Sequence, residues 1–130
     1  VVYLDSSAIV KLVVPEPESA ALFEWLAARG ERTSSIVARV EVSRALRRAG
    51  AGAAIRERAT DVLDRIALLA LDRRVVDRAA ALHPPALRSI DAIHLATALS
   101  VAEDLDGLVT YDERLAAAAR RARIEVWGPA

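Results

Sequence analysis

The chain has 130 residues, 54% hydrophobic and 28% charged, with eighteen basic side chains balancing eighteen acidic ones and no cysteine. This is the size of one domain with its own core, and the composition excludes intrinsic disorder, disulfides, thiolate metal sites and thiol catalysis. A neutral balance argues against a strongly basic nucleic-acid wrapper but leaves room for a local patch.

Residues 1–4 (VVYL) are a short, β-branched apolar run, the pattern of a buried strand, ended by Asp5. Ser6 or Ser7 is the expected cap of the next helix, whose apolar face comes from SAIVKLVV before Pro15 and Pro17 stop it. Residues 18–29 predict a second helix, with Glu18 at its start and Arg29 then Gly30 at its end, as the macrodipole and a glycine cap favour. A strand follows at 32–37, then helices at 38–49, closed by Gly50, and at 53–66. ALLAL at 67–71 predicts a third strand, and residues 73–83 a helix that runs to His83 and the Pro84–Pro85 break. Ser89 is the expected cap of a long apolar helix ending near Val101. The chain finishes with a strand at 107–111, a helix at 112–123 and a short strand at 124–127. Strands alternating with helices predict an α/β fold, with a mostly parallel sheet of four to five strands and helices on both faces. No repeat or long linker interrupts the pattern, so 1–130 is expected to be one domain. No apolar run approaches the roughly 18 residues of a membrane helix and no signal-like segment opens the chain, so a cytoplasmic protein is expected.

Ligands of parallel α/β sheets bind beyond the carboxyl ends of the strands. Asp5 ends the first strand and Asp112 follows the fourth; either alone also reads as an ordinary helix cap. Glu41 is harder to place on a surface. It lies three after Ala38 and four before Ala45, on the inward side of the stripe Ala38, Val42, Ala45, Leu46, Ala49. An unpaired carboxylate there is costly. Asp91 shares a face with Leu95, Ala98 and Ala102, and so opens a buried stripe. Four carboxylates brought together would repel and push a pKa upward. A hard divalent cation removes that difficulty, and donors that are all oxygen favour Mg²⁺ or Mn²⁺ over Zn²⁺. Such a site suits phosphoryl transfer to water. Dinucleotide, P-loop and nucleophile-elbow motifs are absent. His94 has no histidine partner at zincin spacing and is expected to be a core or supporting residue.

The opening YLDSSAIVKLVVPEPES, the central VARVEVSRAL, LRSIDAIHLATAL and the late LVTYDERL resemble the PIN domain, specifically the VapC-type toxins of bacterial toxin–antitoxin pairs. The resemblance spans nearly the whole chain in order and spacing. It implies a three-layer α/β/α fold and an endoribonuclease whose products carry a 5′-phosphate and a 3′-hydroxyl. Carried over residue by residue, the four acids of its catalytic site are Asp5, Glu41, Asp91 and Asp112. Asp5, Asp91 and Asp112 would be the main ligands of Mg²⁺ or Mn²⁺, and Glu41 would hold a water or a second ion. It further implies Ser6 or Ser7 beside the metal, the Thr110 hydroxyl near Asp112, and Arg88 and Arg114 on RNA phosphates. Nine arginines against five acids over 39–74 offer a candidate RNA-facing surface. The partners implied are RNA, a second copy of the chain, and a VapB-like antitoxin whose amphipathic helix enters a groove near Ile9, Leu12, Val13, Leu22, Phe23, Trp25 and Leu26. The rival readings are a haloacid-dehalogenase-like or receiver-like phosphotransfer domain, and a non-catalytic PIN-like module binding RNA or protein. A haloacid-dehalogenase-like site wants a second Asp two after Asp5, where Ser7 stands; a receiver-like site wants a lysine near the pocket, and Lys11 is too early; the presence of all four acids argues against the non-catalytic module.

Overall fold

Three residues suffice for the central strand because neighbours complete its ladder on both sides. In the computed structural model, which describes residues 1–130, β1 (Val2–Leu4) is wholly buried and pairs in parallel with two other strands. A strand covered on both faces reads as an unbroken apolar run, as VYL does. After it come α1 (Ser6–Val13), α2 (Ser19–Ala27), β2 (Arg32–Ser35), α3 (Val37–Arg48), α4 (Ala53–Asp64) and β3 (Ala67–Leu69). The second part of the chain adds α5 (Arg73–Ala81), α6 (Ser89–Ser100), β4 (Gly107–Val109), α7 (Glu113–Arg121) and β5 (Val126–Trp127). No helix is long and apolar enough to cross a membrane.

The sheet order is β3-β2-β1-β4-β5, and every pairing is parallel. The chain builds outward from β1 to β3, then returns to the opposite side of β1. Strand order therefore reverses between β1 and β4, and the carboxyl ends at such a reversal form a ligand crevice. Asp5 directly follows β1; Thr110 and Asp112 directly follow β4.

The pleat sorts the side chains into two cores. Val2, Leu4 and Val109 pack with apolar residues of α1 to α4, including Ile9, Leu22, Val42 and Leu63. Tyr3 and Leu108 point the other way, against Leu95 and Ala98 of α6 and Leu115 and Ala119 of α7. The three-layer α/β/α arrangement follows. Ile9, Leu12, Val13, Leu22 and Leu26 are thus spent on the core, and of the large apolar residues in the first two helices only Phe23 is exposed. Trp25 is half-buried against Trp127, with ring centroids 4.9 Å apart and the Arg29 guanidinium 3.5 Å above the Trp25 ring. That stack needs Gly107, because a β-carbon there would collide with the Trp127 ring and sit 2.7 Å from the Glu125 carbonyl oxygen.

Two helix starts differ from expectation. Asp5, not Ser6 or Ser7, caps α1, accepting the Ala8 N–H at 3.0 Å. β1 ends so abruptly that the residue after it is already the cap. Ser89 is the first residue inside α6; Arg88 holds the cap position, with extended backbone and no side-chain cap bond. Elsewhere most elements end one or two residues early, and β5 begins at Val126 rather than Ile124. β2 stops at Ser35 because Ile36 already has helical backbone, and α5 stops at Ala81 because Leu82 is extended.

Candidate active site

Each acid reaches the crevice by a different local device. Asp5 is only 4% exposed. Its Oδ1 accepts the Ala8 N–H at 3.0 Å and the Ser7 hydroxyl at 2.7 Å, and its Oδ2 accepts the Thr110 hydroxyl at 2.6 Å. Burial pushes its carboxyl above the usual range, a shift tempered by those three donors and by His94. Asp112 caps α7, with Oδ1 accepting the backbone N–H groups of Arg114 (2.8 Å) and Leu115 (3.1 Å). Both Asp5 and Asp112 therefore fulfil the capping reading and also stand at the strand reversal. Thr110 and Ser7 lace the two ends together: Thr110 Oγ1 accepts the Asp112 N–H at 3.0 Å, and Ser7 Oγ accepts the Tyr111 N–H at 3.0 Å.

Glu41 comes from the middle of α3, on the same side as the buried Ala38 and Val42. Its Oε1 accepts the Ser6 hydroxyl and the His94 Nε2–H, both at 2.6 Å. Burial works against its charge, but hydrogen bonds from His94 and Ser6 hold the carboxyl below its ordinary range. His94 is 2% exposed and meets Tyr3 on its far side, Nδ1 lying 2.7 Å from the phenol oxygen.

Asp91 stands in the first turn of α6, where the helix dipole favours an acid. Its Oδ2 is buried without any hydrogen-bond partner. Burial, then the charges of Asp112 and Asp5, push this carboxyl up, against His94 and Arg88. Buried polar oxygens are nearly always satisfied, and an orphan carboxylate oxygen subject to the charge of two other acids is a donor that suits a cation.

The donor chemistry fits a hard divalent ion: it is all oxygen and includes that orphan. The side chains do not stand as a closed ligand set, since no group of three or more His, Cys, Asp or Glu is arranged to hold a metal ion. The scaffold bonds explain part of this, because they tie one oxygen of Glu41, one of Asp112 and both of Asp5 to the protein.

The accessory residues divide. Ser6, Ser7 and Thr110 spend their hydroxyl protons on Glu41 and Asp5, so they orient acids rather than donate to water or phosphate. Arg88 and Arg114 are exposed and form no ion pair, and Arg88 stands near enough to Asp91 to act on its charge. A hollow of about 520 Å³ between α5 and α6, lined by Asp72, Arg78 and Ser100 among others, shares no residue with the acids. Sequence reading placed the four acids and gave His94 a supporting role. It missed Tyr3, and it missed that His94 bonds Glu41. The available signals were the placing of Tyr3 on the alternate face of β1 and the three-residue offset of His94 from Asp91 on α6.

The PIN domain profile matches residues 2–121. Ribonuclease VapC46 of Mycobacterium tuberculosis (strain ATCC 25618 / H37Rv) is 49% identical over 128 residues, 98% of this chain and 97% of that protein. Ribonuclease VapC47 of M. tuberculosis (strain CDC 1551 / Oshkosh) is 39% identical over 123 residues, 92% and 90% of the two chains. Among solved structures, M. tuberculosis VapC20, described as a sarcin-ricin loop cleaving toxin, superposes with a TM-score of 0.73 at 14% identity, over 91% of this chain and 95% of that one. VapBC2 from Rickettsia felis, bound to a DNA fragment from its promoter, superposes with a TM-score of 0.74 at 14% identity over the full length of both chains. These two superpositions establish likeness of fold.

Proposed function

Since this chain belongs to the PIN-domain family, and within it to the VapC ribonucleases, we propose that Asp5, Glu41, Asp91 and Asp112 carry a metal-dependent hydrolysis of RNA. The observation that carries the metal is the buried, partnerless Asp91 Oδ2 beside Asp112 and Asp5. Asp5, Asp91 and Asp112 would hold Mg²⁺ or Mn²⁺. The bound ion supplies neutralisation of phosphate charge and a lowered pKa for water. The protein's own part is to hold the acids in register. Ser7 and Thr110 fix Asp5, and the first turn of α7 fixes Asp112. Glu41, ionised and with one oxygen committed, accepts a proton from the attacking water through the other. Water oxygen bonds to phosphorus, the bond from phosphorus to the 3′-oxygen breaks, and that oxygen takes up a proton. The products carry a 5′-phosphate and a 3′-hydroxyl. Arg88 and Arg114, exposed at the rim, are free to meet neighbouring phosphates.

Purified protein incubated with total cellular RNA should give discrete fragments in Mg²⁺ or Mn²⁺ and none in chelator. Intact RNA under every metal condition, from folded protein free of antitoxin, would overturn the reading. A non-catalytic RNA- or protein-binding module is not favoured, because it leaves Asp91 Oδ2 buried without purpose.

The same membership supports action in the cytoplasm as a toxin, with a VapB-like antitoxin as neutralising partner and a homodimer as the working form. Because the first two helices spend most apolar residues on the core, an antitoxin helix would find Phe23, with Arg58 6.0 Å above its ring, rather than a broad apolar groove. Light scattering should return twice the chain mass for the toxin alone and a heavier complex after co-expression with a cognate VapB-like antitoxin. A monomer in both preparations would sink both assignments.

A further inference from the structure

Beside the Ser7–Asp5–Thr110 bonds, the Tyr3–His94–Glu41 chain is a second buried polar network that joins both helical layers across the end of the sheet. Tyr3, on β1, faces the α6–α7 layer, and His94 belongs to that layer; Glu41 and Ser6 come from α3 and α1 on the other side. We propose that His94, with its tautomer set by Tyr3, is a positioning residue that aims the Glu41 carboxylate, committing Oε1 and leaving Oε2 for the reaction. The inference rests on the nuclease reading above and adds residues that the four acids do not include.

The protons can be placed by elimination. Tyr3 is wholly buried, and an ordinary phenol carries its proton at neutral pH. Ser34, Ser35 and Thr97 also lie near the phenol, but the one bond of good geometry that it makes is to His94 Nδ1, at 2.7 Å. The phenol therefore donates to a bare Nδ1, and the imidazole proton sits on Nε2, pointing at Glu41 Oε1. Ser6 donates to the same Oε1, and its oxygen lies 3.3 Å from Nε2, close enough to share that N–H weakly. Two donors on one oxygen fix the carboxylate plane. Oε2 has no protein partner, and it is not among the buried orphan atoms, so it reaches solvent. A glutamate without these bonds would sample several rotamers; ordering it beforehand is how a supporting shell raises a rate.

Nitrogen-15 NMR of the metal-free protein reads the tautomer without any catalysis, and the expected pattern is a protonated Nε2 and a bare Nδ1. Tyr3→Phe removes one oxygen from a filled site, keeps the ring, and should lower kcat about tenfold with KM unchanged, the low end for a residue that orients a catalytic group. His94→Gln, which returns an N–H near the place of Nε2, should retain more activity than His94→Leu. In a Glu41→Gln background, Tyr3→Phe should cost nothing further, because the residue it acts through is gone. Melting curves of each variant separate this effect from unfolding, and the NMR of the wild type stands even if His94→Leu fails to fold. Protonation on Nδ1, an unchanged kcat in Tyr3→Phe, or the same tenfold loss in both backgrounds would overturn the inference. Wild-type protein that cleaves nothing would instead sink the nuclease reading.

Discussion

Asp5→Asn should reduce metal-supported RNA cleavage by on the order of a thousandfold while leaving the fold intact. A bound cation contributes several kcal/mol of transition-state stabilisation, and about 4 kcal/mol corresponds to that factor. Asparagine preserves what Asp5 does for the scaffold. It is as good a helix cap as aspartate, so its retained oxygen can still accept the Ala8 N–H. The new amide would face Thr110, whose hydroxyl now donates to Oδ2 at 2.6 Å and can rotate to accept instead. What is lost is the negative charge, held at 4% exposure against a desolvation penalty that already raises the carboxyl. On the proposed reading, that charge is what holds the cation. Initial rates at saturating Mg²⁺, with melting curves alongside, check this. A variant within tenfold of the wild type would remove Asp5 from the metal set.

Asp5 and Asp112 were legible because each follows a short β-like run and precedes a helix, and the end of a parallel strand is where function is read. Glu41 and Asp91 were legible for the opposite reason: each interrupts a helical stripe that otherwise reads as core. The caps were misread because serine is as strong a cap as aspartate, and nothing local says that β1 stops at Leu4 rather than one residue later. The Glu41–His94 bond joins positions 53 apart, and the Tyr3–His94 bond positions 91 apart. Such pairings depend on how α6 lies across the sheet relative to β1 and α3, which no window of sequence contains. Tyr3 in particular looks like any apolar strand residue until its hydroxyl is given a partner. The acids, in short, announce themselves by being in the wrong place for a soluble surface, whereas the groups that orient them are hidden by being in the right place for a core.

Asp91→Asn should uncouple stability from function, and in opposite directions depending on metal. In chelator the variant should melt slightly above the wild type. Asp91 Oδ2 is buried with no partner and is repelled by Asp112 and Asp5. Asparagine still leaves a polar atom there without a partner, but it removes the charge and with it the repulsion, a gain of about 1 kcal/mol at this half-buried site. The first-turn position in α6 favours the charge by about 0.5 kcal/mol, which reduces the expected gain to about 0.5 kcal/mol, or roughly 2 °C. The pH dependence follows with a definite sign. A carboxyl whose folded pKa is raised contributes stability below its unfolded value, near 3.9, and loses that contribution as pH rises through the folded value. Metal-free wild type should therefore lose the Asp5 and Asp91 contributions on going from about pH 4 upward, and the variant should lose only the share of Asp5. Glu41, held low, works the other way: its contribution is present above about pH 4.3 and fades as acid protonates it. Adding Mg²⁺ should reverse the order. Metal at ten times its Kd stabilises the wild type by about 1.4 kcal/mol, and a variant without the Asp91 charge gains less. Cleavage should be lost in the variant at every Mg²⁺ concentration that supports the wild type. Melting curves in chelator and in Mg²⁺ are the test, and a variant that melts below the wild type in chelator would show that Asp91 is held for the scaffold rather than for a cation.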